Sequence, residues 1–302
     1  GSGTNGGGDL SGAIAVDGSS TVFPFAQAAA EGFQTENSGV QVTVGESGTG
    51  GGFEKFCAGE TDIATASRPI DTEEEVPVCE KNGVTFAEVI VANDGISVVS
   101  NKALEIGCIS VEQLAKLWGP DSKITNYSQL GDQPDGKPFP DAEVSLYGPG
   151  TDSGTFDFFT EEVVGEKGAT RKDYQPSEDD NVLVQGVEGD KNGLGYFGFS
   201  YYEDNADKLN LISVDSGDGC VTPSKETIQD QSYKPLSREL FMYPSQKSLS
   251  EKPQVKGFME YTVSNEGSLA ETAQIVPLTS EQQTTSKDEL AKASGGGTAT
   301  TE

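Results

Sequence analysis

Apolar and polar positions alternate in short runs along the first ninety residues. "AIAV" (13–16), "VQVTV" (40–44) and "TDIATAS" (61–67) show the two-residue rhythm or the clustering of strands. Residues 23–34 and 53–58 instead carry the spacing of one helical face. Strand and helix taking turns marks an α/β unit. "GVTFAEVIVANDGISVVSN" (83–101) is a longer strand-prone passage broken at Asn93, Asp94 and Gly95, and it reads as a crossing into a second unit. That unit is predicted to hold a helix at 110–118, a strand at 142–148, a helix at 156–164 and a strand-turn-strand at 192–202. "SRELFMYP" (237–244) reads as the return crossing, and "PQVKGFMEYTV" (253–263) as a late helix of the first unit. The expected division is a discontinuous first lobe of 10–92 and 242–293, a second lobe of 93–241, and a flexible tether (1–9) and tail (294–302). A chain of 302 residues has material for two such domains.

Charge changes the picture first. Asp and Glu number 49 against 20 Lys and Arg, His is absent, and the formal net charge is −29. Nucleic acid is therefore excluded as a natural partner class. The carboxylates are spread along the whole chain, which fits the solvated acidic surface of a halophilic protein. At about 1 M salt the screening length is near 3 Å, so a bound anion feels mainly its first neighbours.

Cysteine usage changes it again. Cys57, Cys79, Cys108 and Cys220 have no C-x-x-C spacing and no His to join them, which argues against zinc. Two disulfides are expected. Of the three pairings open to four cysteines, Cys57 with Cys79 and Cys108 with Cys220 is preferred, because it closes one local loop and one within the second lobe. Buried free thiols in a cytosolic protein are the competing reading. No apolar run approaches the roughly 18 residues that cross a bilayer. No basic-then-apolar leader opens the sequence, so any signal peptide is expected to have been removed already.

Candidate chemistry lies in three stretches. "DGSSTVFPFAQAAAEGF" (17–33), "ESGTGGGFEKF" (46–56) and "GPGTDSGTFDFFTEEV" (148–163) each run from a strand through a small polar loop into a helix. A helix start offers unpaired N–H groups and the positive end of the helix dipole; Ser and Thr add hydroxyl donors, and glycine removes the side chain that would hold an anion away. Each loop alone is also readable as ordinary N-capping. Three of them, divided between two lobes, point to an oxyanion. "TASRPI" (65–70) adds Ser67 and Arg68 at a strand end, and Arg68 is one of only three arginines, with Arg171 and Arg238. A guanidinium there can fork onto an oxyanion or pair with a surface carboxylate.

At these residues the chain resembles the phosphate-binding proteins of ABC-type phosphate importers. "DGSSTVFP", "SGTGGGF", "GETDIATASRPI" and "GPGTDSGTF" carry the resemblance, which extends over nearly the whole sequence between the ends. It implies an α/β, two-lobed periplasmic-binding-protein (type II) fold, with mixed sheets flanked by helices and the ligand in the interlobe cleft. It also supports the two-lobe division and the disulfide pairing. Position by position, the implied phosphate donors are Ser20, Thr21 and the amide of Val22, then Ser47, Thr49 and Gly50, then Ser67, and finally Ser153, Gly154 and Thr155. Two positions depart from well-known members: Arg68 stands where they have Asp, and Pro149 where they have Arg. The positive charge is thus expected to have moved to Arg68, as in another branch of the family.

A carboxylate that accepts the proton of hydrogen phosphate would favour phosphate over sulfate. Asp152 is the first candidate and Asp17 the second, and either could instead cap a helix or orient Arg68. The resemblance further implies a monomeric binding protein, not an enzyme, with no metal or cofactor. Its partners would be inorganic phosphate and the transmembrane subunits of an ABC permease. Its place would be outside the cytoplasm, tethered to the outer membrane face through a lipidated cysteine ahead of "GSGTNGGG". Two other classes compete. A phosphatase or other hydrolase with Ser153 or Ser20 as nucleophile would lack the usual His base. An adhesin or sugar-binding protein would need exposed aromatic planes, whereas Trp118 and the aromatics from Tyr196 to Tyr202 carry core spacing.

Overall fold

In the computed structural model, which describes residues 9–295, strand β1 (Ser11–Gly18) leads into helix α1 (Phe23–Glu36), β2 (Gly39–Val44), α2 (Thr49–Cys57), β3 (Ile63–Ala66), α3 (Glu75–Lys81) and β4 (Val89–Asn101). β1 is the middle strand here, parallel to β2 on one side and β3 on the other. Ile14 and Val16 on β1 and all of β3 are buried, as a parallel sheet covered by helices requires. The helix read at 53–58 begins earlier, at Thr49, so three glycines lie inside its first turn. Of the expected tether (1–9) and tail (294–302), residues 1–8 and 296–302 lie outside the described residues.

The chain then forms β5 (Cys108–Ser110), α4 (Val111–Trp118), β6 (Ser145–Pro149), α5 (Gly154–Phe159), β7 (Gln175–Ser177), α6 (Asp180–Gly189), β8 (Gly193–Gly198), α7 (Phe199–Glu203), β9 (Leu209–Asp215), β10 (Cys220–Val221), α8 (Lys225–Gln229) and β11 (Ser237–Pro244). β6 runs parallel to both β7 and β8, and β4 is antiparallel to β8 and β9. Ser110 and Gln113 close a capping box at the start of α4. The strand-turn-strand expected at 192–202 is a strand followed by a helix. Gly198 ends the strand, and the next turn of chain brings Phe199 to within 6.1 Å of Tyr202. Four further helices follow, α9 (Gln246–Glu251), α10 (Pro253–Ser264), α11 (Glu266–Thr272) and α12 (Ser280–Ala293).

Two compact units emerge. One holds the described residues up to Ala92, Glu239–Ala273 and those from Pro277; the other holds Asn93–Arg238 and Gln274–Val276. β4 and β11 run from one unit into the other. The short return of 274–276 to the second unit follows from its backbone, since Asn93 and Val276 exchange N–H···O bonds of 2.8 and 2.9 Å.

In the first unit β11 continues the sheet, antiparallel to β3, and α2 packs on β1 and β3. Phe53 and Phe56 of α2 are buried there, with Phe53 edge-on to Tyr243 at 5.0 Å. Cys57 is bonded to Cys79, which fastens the end of α2 to α3. Buried Asp62 accepts bonds from Ala15 N (2.9 Å), Ser248 Oγ (2.7 Å) and Lys252 Nζ (2.7 Å), tying β1 to α9 and the start of α10. Burial alone would raise its pKa, but the Lys252 ammonium and the two other donors bring it below the ordinary carboxylate value.

The second unit is built around aromatics. Trp118 is fully buried and meets Tyr196, Tyr174 and Phe159 edge-on at 4.9, 5.6 and 5.7 Å. Tyr196, Phe197 and Phe199 are buried too, so this cluster is core. Two of the three arginines are structural: Arg171 binds Leu117 O, Ile124 O and the Asp173 carboxylate, and Arg238 binds Asp94 and stacks 3.6 Å above Phe158. Cys108 is bonded to Cys220, joining β5 to β10.

Candidate functional site

β1 and β3 end side by side, and the chain turns sharply at Gly18. Its φ is +151°, and a Cβ there would stand 2.0 Å from Thr65 O, so only glycine fits. Ser19 organises the helix start that follows. Its N–H donates to Thr65 O (3.0 Å), its Oγ accepts from Thr21 N (3.2 Å) and Val22 N (3.3 Å), and its carbonyl accepts from Phe23 N (3.0 Å). The amide of Val22, expected as a ligand donor, is therefore turned onto Ser19, and Val22 itself is fully buried. Ser20 and Thr21 lie half-buried at the turn.

Asp17 binds the second loop to the first. Its Oδ1 accepts both Ser47 N (3.0 Å) and Ser47 Oγ (2.5 Å), and its Oδ2 accepts Lys55 Nζ (2.6 Å). Burial would raise this carboxyl, yet the Lys55 ammonium and the two Ser47 donors together hold it below the ordinary value. A carboxylate engaged by three donors is poorly placed to take a ligand proton, so the structure uses Asp17 and Ser47 on one another.

The glycines of the second loop divide by role. A Cβ on Gly52 would lie 2.5 Å from Gly18 Cα and 2.9 Å from Asp17 O, so α2 approaches the first turn as closely as backbone allows. At Gly51 the neighbour would be Ser47 Oγ at 3.0 Å, whereas at Gly50 no atom beyond its own turn of helix comes within 4 Å. Gly48 has φ +87° and starts α2; among the described residues no side chain caps that start, and Gly52 N bonds back to Gly48 O (2.8 Å). The exposed Gly50 sits on this uncapped first turn, where amides and the dipole both favour an anion.

Thr49 faces Ser67 from the end of β3. Ser67 N donates to Thr49 Oγ1 (3.1 Å), and the two hydroxyl oxygens are 3.1 Å apart. One hydroxyl hydrogen is spent between them, leaving the other to be donated outward. Arg68, next in sequence, forks onto Glu75 with bonds of 2.9 and 2.8 Å and lies 5.5 Å from the centre of the Phe53 ring. Its guanidinium is thus held in an ion pair beside Ser67, with Glu75 the partner that the sequence did not single out.

In the second unit the third loop leaves β6 at Pro149. Ser153 Oγ accepts from Thr155 N (3.2 Å) and Phe156 N (3.4 Å), capping α5 while keeping its own hydrogen for donation. Gly154 and Thr155 form the half-buried first turn. Asp152 is exposed, and its backbone N–H donates to Glu178 Oε1 (3.2 Å). The same Glu178 oxygen lies 1.9 Å from where a Cβ on Gly150 would be, so this carboxylate is pressed against the loop. Glu178 stands 26 residues from Asp152, and no local pattern announces the contact.

Residues 3–266 match the model of a PBP superfamily domain. The chain is 45% identical over 274 residues to the protein SphX of Synechococcus elongatus, covering 90% of this chain and 79% of that one. It is 38% identical over 281 residues to the phosphate-binding protein PstS of Staphylococcus saprophyticus, covering 92% and 84%. The crystal structure of a possible phosphate binding protein from Planctomyces limnophilus superposes with a TM-score of 0.87 at 42% identity, covering 94% of this chain and 99% of that one.

Proposed function

Because the chain belongs to the PBP superfamily, and within it to the SphX and PstS family of phosphate-binding proteins, we propose that it captures inorganic phosphate and delivers it to an ABC permease. The observation that carries this reading is the uncapped start of α2, where exposed Gly50 leaves room for an anion beside the Thr49 and Ser67 hydroxyls. We assign the contacts to Ser20, Thr21, Thr49, Gly50, Ser67 and Arg68 of the first unit and to Ser153, Gly154 and Thr155 of the second. Ser47 and Asp17 serve by holding the loops. Each charge-assisted bond contributes roughly 1.5–3 kcal/mol. About half a dozen exceed the roughly 8 kcal/mol of micromolar binding, and the surplus offsets ordering and desolvation. The working role is that of a receptor: Ser153 caps a helix, and the chain has no His to activate it as a nucleophile.

Isothermal titration in molar salt, with phosphate and sulfate side by side, tests the assignment. Phosphate should bind and sulfate should not compete. Arg68→Ala should weaken phosphate at least about tenfold, as loss of one charge-assisted contact requires; an unchanged constant would show the charge to be misplaced.

An extracytoplasmic position, with a lipid tether at the outer membrane face, agrees with two disulfides and with relatives that are phosphate-binding proteins. A net charge of −29 agrees with life in brine. In dilute buffer self-repulsion is unscreened, so the melting temperature should rise as salt is raised from millimolar to molar. A melting temperature indifferent to salt would remove the halophilic reading.

A further inference from the structure

Arg68 leaves the end of β3 directly after Ser67, and two other elements of the first unit meet its guanidinium. Nη1 donates to Glu75 Oε2 (2.9 Å) and Nη2 to Glu75 Oε1 (2.8 Å), a parallel fork, while Nη1 also reaches Pro69 O (3.1 Å). From the other side the Phe53 ring centre lies 5.5 Å from the guanidinium carbon. Phe53 belongs to α2, so the charge is kept against the helix whose first turn carries Gly50.

Glu75 is itself fixed in place. It is the first residue of α3, and its Oε2 also accepts Asp71 N (2.8 Å). Asp71 in turn accepts Glu73 N (2.7 Å) and Glu74 N (2.8 Å), folding the chain between Arg68 and the helix start. Cys79 of α3 is bonded to Cys57 at the end of α2, and Cys57 Sγ lies 3.6 Å from Glu75 O. The two side chains are 46% and 19% exposed, for Arg68 and Glu75 respectively, so the ion pair adds little to the stability of the fold. Its effect is geometric. An arginine half in solvent samples many rotamers, and a ligand that binds it must first overcome that freedom; the fork removes the freedom beforehand.

We propose that Glu75 is the positioning residue for Arg68, holding the guanidinium against α2 so that an arriving phosphate meets a charge already in place. The proposal rests on the assignment of Arg68 as a phosphate contact. Glu75 touches no ligand and exchanges no proton; it acts through Arg68 alone. A carboxylate also repels an anion, and that effect has the opposite sign. In molar salt, however, the screening length is about 3 Å, whereas the restriction of rotamers does not depend on salt, so positioning outweighs repulsion.

Titration of inorganic phosphate in molar salt into the full chain, Glu75→Gln, Arg68→Ala and the double variant tests the proposal. Glutamine keeps the length of the side chain and an acceptor for Asp71 N, and it removes the charged fork. Glu75→Gln should weaken phosphate about fivefold where Arg68 is present and change it less than about twofold where Arg68 is already alanine. A purely structural role at the start of α3 would weaken binding equally in both backgrounds; that result overturns the proposal, as does an unchanged or tighter constant for Glu75→Gln. An Arg68→Ala constant equal to wild type overturns it together with the assignment of Arg68. Absence of phosphate binding by the wild type overturns the phosphate reading as well. Since the chain has only three arginines, guanidinium nitrogen resonances report on Arg68 separately. Its two Nη signals should be distinct in the ligand-free wild type, where the fork hinders rotation, and merged in Glu75→Gln. Should the variants fail to fold, the wild type decides: merged Nη signals before phosphate is added overturn the proposal.

Discussion

Gly52→Ala is expected to abolish measurable phosphate binding and to destabilise the first unit by about 2–4 kcal/mol, the sum of overpacking and lost hydrogen bonds. The new Cβ would meet Gly18 Cα at 2.5 Å and Asp17 O at 2.9 Å. Both are backbone atoms in a buried turn, and neither can rotate aside. The start of α2 must retreat, which draws Gly48 N from Gly18 O (2.8 Å), Ser47 from Asp17, and Thr49 from Ser67. Gly50→Ala is the matched control. Beyond its own turn of helix no atom lies within 4 Å of its Cβ position, and alanine favours a helix over glycine by about 1 kcal/mol, so the fold should hold or gain while phosphate binds more weakly. Urea unfolding and phosphate titration of the two variants check both halves. A Gly52→Ala protein that binds like wild type would mean that the helix start can shift without consequence.

Cys108→Ser with Cys220→Ser should cost about 4–5 kcal/mol, against about 3 kcal/mol for Cys57→Ser with Cys79→Ser, on the loop-closure account. The two bonds close stretches of 112 and 22 residues. The longer crosslink removes more freedom from the unfolded chain, and the difference from loop length alone is about 1.4 kcal/mol. Urea midpoints of the two double variants, with the remaining disulfide oxidised, measure it. If the short-loop variant proves the less stable, closure entropy does not govern these crosslinks and local packing does, since Cys57 and Cys79 are both buried while Cys220 is exposed.

The parts of this molecule that announce themselves in sequence are those set by neighbours in the chain. The alternation at 13–16 and 40–44 appears as β1 and β2, and the apolar spacing around Trp118 as a buried helix face. Glycine's poor helix propensity makes 49–52 read as loop, although α2 already includes it, because the reason for Gly52 lies in Gly18, at the end of the strand the helix packs on. A short aromatic run such as 199–202 fits a strand or a helical turn equally, and only the turn at Gly198 decides. Polar partners are the least legible. Asp17 with Lys55, Arg68 with Glu75 and Asp152 with Glu178 are chosen by strand register and helix placement. In a chain with 49 acidic residues, no spacing singles out which carboxylate will be the partner.

The hydroxyl pair of Thr49 and Ser67 has a chemical consequence of its own. Ser67 N fixes the position of Thr49 Oγ1, yet either hydroxyl can be the donor across the 3.1 Å gap between them. Swapping the two roles requires only that two O–H bonds rotate, with no heavy atom displaced. Toward a guest, the pair is therefore ambivalent: it offers a hydrogen to a bare oxygen, and a lone pair to one that arrives already bearing hydrogen. A rigid amide lacks that reversibility. If the pair touches phosphate as proposed, the end of β3 meets the monobasic and the dibasic form of that oxyanion without rebuilding itself.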